Sequence, residues 1–226
     1  MRCILLLAAC LACQGLYAQA SGSLSLASDY RYRGVSLSGD QPAVQGELDM
    51  DFAGGAYAGL FASKVRLYDG PSSQLQASAF AGYAQRIGAG WSVDGGASYA
   101  AFSGEREVDY AELHAGVSTQ GLEGRLSISP NYFGQSLRTW YAELNGSQAL
   151  FDPLRLVWHA GELGLASGAM GAPHTNADAR LGIEFAWRAL RLQFARVQNQ
   201  GSTYAYPVSY SERDHGAWLG ELSGVF

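Results

Sequence analysis

Cysteine is nearly absent from this chain: its three cysteines, Cys3, Cys10 and Cys13, all lie at the extreme N-terminus. Met1-Arg2, the apolar run from Ile4 to Cys13 and then Ala18-Gln19-Ala20 form the charged start, apolar core and small-residue cleavage site of a secretory signal. Cleavage after Ala20 divides the chain into a signal at 1–20 and one exported domain at 21–226, which then has no thiol. Disulfide staples and thiolate metal sites are thereby excluded from the exported protein. A lipoprotein reading competes, because Leu7-Ala8-Ala9-Cys10 spells a lipidation box, but it leaves only a few apolar residues before the cysteine.

Basic charge is also scarce. A formal net charge of −5 argues against nucleic acid as a partner, since phosphate binding requires a basic stripe. No helix-length apolar run follows the signal, which excludes a transmembrane helix but not a β-barrel, whose strands carry one apolar face each. Linkers and low-complexity tracts are missing too, so the remaining ~206 residues read as one domain, a size that single barrels and sandwiches reach.

What the chain does have is period-two alternation. From Val44 to Phe52, Val44, Leu48, Met50 and Phe52 fall on one face and Gln45, Glu47, Asp49 and Asp51 on the other. Three carboxylates on one face exceed what a half-exposed strand needs, and imply a strand between an apolar medium and a wet one. Twelve such segments are predicted, at 22–33, 43–53, 56–66, 74–86, 91–102, 109–119, 124–132, 139–150, 154–164, 177–186, 190–198 and 215–226. An even number brings both termini to one side. Tight turns such as Gly54-Gly55 and Gly88-Ala89-Gly90 lie on that side, and longer segments, roughly 34–42, 67–73, 103–108, 133–138, 165–176 and 199–214, on the other. This is the asymmetry of an all-β, antiparallel transmembrane β-barrel of the bacterial outer membrane.

A lipocalin-like barrel or a sandwich would alternate equally well, with its apolar face inward. The aromatics favour the membrane: Phe52, Tyr57, Tyr83, Trp91, Phe151 and Trp187 flank the short turns, and Tyr32, Phe102, Tyr110, Tyr132 and Trp140 the long loops, as two interfacial girdles. The terminal Phe226 resembles the signal by which barrel-assembly machinery recognises such proteins. Outer-membrane lipid and small polar solutes complete the expected partners.

Three segments, Ser28-Asp29-Tyr30-Arg31-Tyr32-Arg33-Gly34-Val35-Ser36, Asp40-Gln41-Pro42-Ala43-Val44-Gln45-Gly46 and Gly55-Ala56-Tyr57-Ala58-Gly59-Leu60-Phe61-Ala62-Ser63, resemble the opening of the Gcw_chp family, also labelled TorF-family porins. Tyr110–Val117 and Ser129–Gly134 extend the resemblance through the middle of the chain. It implies an outer-membrane porin with no agreed substrate and no catalytic residues. The ending Gly220–Phe226 departs from the family in lacking a basic residue just before the terminal Phe.

With apolar side chains toward lipid, the lumen is predicted to receive Arg31 and Arg33 from the first strand, Glu47, Asp49 and Asp51 from the second, and Lys64 and Arg66 from the third. Pairing across Gly54-Gly55 sets Gln45 opposite Lys64, with Arg31 diagonal to Glu47. Acids beside bases could set a transverse field across a pore, or neutralise one another to fill a narrow interior. Twelve strands fall between the filled eight-stranded barrel and the open sixteen-stranded porin. A closed barrel acting through its outer loops and a lipid-active barrel enzyme are the rivals. For the enzyme, His114 and His159 point inward, but no serine carries a nucleophile motif, so the chain is read as non-enzymatic and in need of no cofactor. Asp40, Asp69, Asp109 and Asp214 are scattered among outer loops without calcium-loop spacing.

Overall fold

The computed structural model describes residues 18–68, 72–166, 176–201, 204–208 and 216–226. Among the described residues there are fourteen strands, in chain order β1 Ala18–Ala27, β2 Arg31–Tyr32, β3 Val35–Ser36, β4 Ala43–Phe52, β5 Ala56–Val65, β6 Gln74–Gly88, β7 Trp91–Phe102, β8 Tyr110–Thr119, β9 Leu122–Tyr132, β10 Leu137–Phe151, β11 Leu154–Leu165, β12 Asn176–Trp187, β13 Leu190–Gly201 and β14 Gly216–Val225. Twelve of them close into one antiparallel barrel, and β2 and β3 form a separate two-stranded hairpin. Most of the predicted segments coincide with barrel strands to within a few residues.

Closure occurs at β1, which pairs with β14 on one side and β4 on the other. Phe226 completes the seam: Gly22 and Phe226 exchange backbone hydrogen bonds of 2.9 and 3.0 Å. A Cβ at Gly22 would lie 2.6 Å from the Phe226 ring, so the glycine makes the bed for the terminal aromatic. Most of the signal reading, residues 1–17, lies outside the described residues. Ala18 to Ala20 pair with Phe52 to Met50, and cleavage after Ala20 would shorten β1 to Ser21–Ala27.

The outer wall is apolar. Leu24, Leu26, Val44, Leu48, Met50, Leu113, Leu126, Leu144, Leu181, Leu192 and Phe194 are all exposed. An all-round apolar exterior suits a lipid surrounding, which a closed barrel can occupy because closure pairs its strands and leaves no edge. Leu113→Arg, on the outer face of β8, is therefore expected to cost about 2–4 kcal/mol in urea-titrated refolding into vesicles, as for a cation near mid-bilayer. The same change at Ser98, which lines the interior, should cost clearly less.

Three expectations need correction. The first predicted strand, 22–33, stops at Ala27: the Ser28 amide makes the last bond to Gly220, and the chain then turns into the barrel as the β2–β3 hairpin. Alternation continues through Tyr30 to Arg33, so periodicity could not show the break, and Tyr30 and Tyr32 pack inside, not against lipid. The long-loop girdle is also different. Phe102, Tyr110 and Tyr132 are buried within the barrel mouth, and the outward aromatics on the strands at that end include Tyr99, Trp218 and the half-exposed Trp140. At the short turns Tyr83, Trp91, Phe151 and Trp187 do face outward, whereas Tyr57 faces the interior.

The third correction concerns register. Gln45 pairs with Ser63, not Lys64. A slip of one residue exchanges the two faces of a strand. The inward row is confirmed by Ser25 Oγ donating to Gln45 Oε1 and Gln45 Nε2 donating to Ser63 Oγ, both at 3.3 Å. Lys64 consequently stands exposed on the outer wall between the exposed Val44 and Leu75, and Arg66 shares its parity.

Candidate functional site

Inside the barrel lies a polar cavity of about 710 Å³, with a second space of about 430 Å³ beside it. Both border the hairpin, which crosses the lumen from β1. Its tip is Arg33-Gly34, both at positive φ (53° and 78°), and it reaches the wall at β12, where a Cβ on Gly34 would lie 2.6 Å from Asp178 Cβ. Arg31 holds the hairpin's shape, donating to Asp29 at 2.6 Å, to Asp40 at 2.9 Å and to the Gly34 carbonyl at 3.0 Å. Ser36 and Ser38 donate to the second oxygen of Asp29.

Arg33 fastens the hairpin to the barrel. Its two terminal nitrogens donate to the two oxygens of Glu112 on β8 at 2.8 and 2.9 Å, a bidentate pair. Tyr32 donates to the same carboxylate at 3.1 Å. The guanidinium lies 4.1 Å from the Tyr141 ring centre and 4.7 and 5.3 Å from those of Tyr32 and Tyr132, so ring faces supply the rest of its surroundings.

Above this pair the mouth is filled by buried side chains. Val35 and Leu37 of the hairpin segment pack with Val65, Leu67, Phe102, Tyr132, Phe133 and Tyr206 in one buried cluster. Phe133 is its hub, with ring centres of Tyr110 at 4.6 Å, Tyr132 at 4.7 Å, Phe102 at 5.7 Å and Tyr206 at 5.9 Å. Burial pushes the phenols of Tyr30, Tyr32 and Tyr206 well above their ordinary range, so these phenols stay neutral at physiological pH.

Below the hairpin two histidines each sit in a triangle with a tyrosine and an aspartate. Tyr57, Asp94 and His114 meet at 2.8 to 3.3 Å. Tyr141, His159 and Asp178 meet at 2.8 to 3.0 Å, with Asn145 at 2.7 Å from the other ring nitrogen of His159. Missing side chains give these groups room: Tyr57 lies over Gly82 and Tyr141 over Gly161, each closer than a Cβ there would permit. Both rings meet a phenol and a carboxylate, and His159 an amide as well, not the serine that acyl transfer requires.

The sequence-derived candidates thus separate. Arg31, Arg33, Glu47 and Asp49 line the cavity, the arginines from the hairpin instead of a barrel strand. Asp51 is exposed, in the same row of β4 but next to the short turn. Lys64 is outside, and Arg66, just past the end of β5 and half-buried, lines neither space. Sequence reasoning passed over Glu112, Asp178 and Arg180, although each has the parity of a lumen residue on its own strand. Among the outer-loop acids, Asp40 serves Arg31, and Asp109 accepts from the Phe102 amide and the Tyr99 hydroxyl. Asp69 and Asp214, like His174 and His215, lie outside the described residues. Among the described residues no group of three or more His, Cys, Asp or Glu is placed to hold a metal ion.

A family model described as "Bacterial protein of unknown function (Gcw_chp)" matches residues 17–220. Among solved structures the chain is similar to the KdgM porin, with 11% identity, TM-score 0.57, and 91% of this chain and 99% of that chain covered. KdgM in complex with disordered oligogalacturonate gives 8% identity and TM-score 0.54, over 92% of this chain and 99% of that one. The NanC porin gives 11% identity and TM-score 0.53, over 89% and 98%. No curated protein matches. The shared architecture is that of outer-membrane β-barrels, in agreement with the apolar outer wall.

Proposed function

The chain belongs to the Gcw_chp family, and from its lumen we propose that it is an outer-membrane channel for passive diffusion of small polar or charged solutes. The observation that carries this reading is the cavity of about 710 Å³, lined by ionised and hydrogen-bonding groups and too large to be filled by them. An interior built only to stabilise the barrel would be packed with side chains. Transport follows the solute gradient without a cofactor, and the named porins of the same fold support this class of activity.

The buried cluster over the mouth favours a second reading, a closed barrel that acts through its outer loops. In the channel reading that cluster and the hairpin form the constriction, and their displacement sets the conductance. Planar-bilayer recording of the refolded chain separates the two. Discrete single-channel steps are expected; a barrel that migrates as folded on unheated gels yet stays silent in the bilayer would leave only the closed reading.

A further inference from the structure

From the sign of the charge around the two internal spaces we infer that the channel selects cations and discriminates against polyanions. This rests on the channel reading of the same lumen. Nine carboxylates and four guanidiniums line those spaces, and no lysine does. The chain's one lysine, Lys64, is on the lipid side.

Three of the four guanidiniums are already committed to carboxylates. Arg31 is bound to Asp29 and Asp40, Arg33 to Glu112, and Arg125 to Glu123 at 2.9 Å. The surplus is concentrated on one wall. Glu47 and Asp49 of β4 and Glu221 of β14 flank β1, whose own inward positions from Ser21 to Ser25 are serines. Among the described residues none of these three carboxylates has an ion-pair partner within 4.0 Å. Carboxylates lining a low-dielectric tube raise the local concentration of cations and lower that of anions. The expected transverse field of balanced acids and bases is thus a net negative one, because neither Lys64 nor Arg66 lines these spaces. A polyanion such as oligogalacturonate, held by the structurally similar KdgM, meets the wrong sign here.

The test is the reversal potential of the full-length refolded channel in a potassium chloride gradient. Potassium is expected to permeate about three times or more as readily as chloride near 0.1 M salt, with the ratio falling toward unity near 1 M as the screening length drops from about 10 to about 3 Å. The triple variant Glu47→Gln, Asp49→Asn, Glu221→Gln should cut the ratio at least twofold, whereas Lys64→Gln should leave it unchanged. Oligogalacturonate added to either side should not block the current. Chloride preference, a ratio indifferent to the triple variant, or a shift caused by Lys64→Gln overturns the inference while the channel stands. A silent barrel overturns the channel reading and the inference with it.

Discussion

Gly34→Val is expected to raise the unit conductance several-fold and to expose residues 28–42 to protease, with the barrel itself intact. Gly34 turns at φ +78°, a conformation that a β-branched residue adopts only with strain. Its new Cβ would meet Asp178 Cβ at 2.6 Å and Asn199 Cβ at 2.9 Å, both below contact distance. Those atoms stand on β12 and β13, which are locked in a continuous ladder from Asn176 to Trp187, so the wall cannot yield. Backbone strain and overpacking together cost about 2–5 kcal/mol, enough to undo the docking of a small hairpin. The ladder does not pass through Gly34, and for that reason heat-modifiable migration should persist. Single-channel recording with limited proteolysis checks both halves. Unchanged conductance with wild-type protection of 28–42 would mean that the hairpin is not the constriction.

That hairpin is also where the sequence was least legible. The strand over Ala43–Phe52 could be read almost residue for residue, because alternation, a polar face with three carboxylates and a Gly-Gly turn agree about it. Tyr30-Arg31-Tyr32-Arg33 alternates just as cleanly, and a hairpin folded inside a barrel has the same period as a strand of its wall. Nothing local separates the two. Lys64 is a different case. Its parity with the outward Leu60 was visible in the sequence, but a turn count one residue off placed Gln45 opposite Lys64 instead of Ser63 and reversed the face. Tyr110 likewise has the inward parity of Glu112, although its position near a strand end suited an interfacial girdle. Tyr132 was not open to that correction, because the β9–β10 register shifts between Leu137 and Thr139 and parity is lost there. Strand existence is encoded locally, whereas the content of the lumen depends on register and on one loop that folds back.

Glu112→Gln should give the largest loss of stability of any single lumen substitution considered, about 3–5 kcal/mol, because it leaves Arg33 buried without a counter-charge. The two side chains retain only 6% and 9% of their exposure, so solvent screens the pair weakly. The tyrosine faces around the guanidinium soften the penalty without removing it, since a cation–π contact is worth about 0.5–2 kcal/mol. A glutamine keeps one acceptor for the fork of two N–H groups and loses the charge. If the penalty is that of an orphaned cation, removing the cation as well should reverse most of it. The pair Arg33→Met with Glu112→Leu is therefore expected to unfold within about 1–2 kcal/mol of wild type, as buried ion pairs exchanged for apolar residues generally do. Urea titration of vesicle-embedded protein, followed by tryptophan fluorescence, compares wild type, Glu112→Gln and the double variant. A Glu112→Gln loss below about 1 kcal/mol would be the value of a solvated surface pair, and would show that water reaches Arg33 through the mouth.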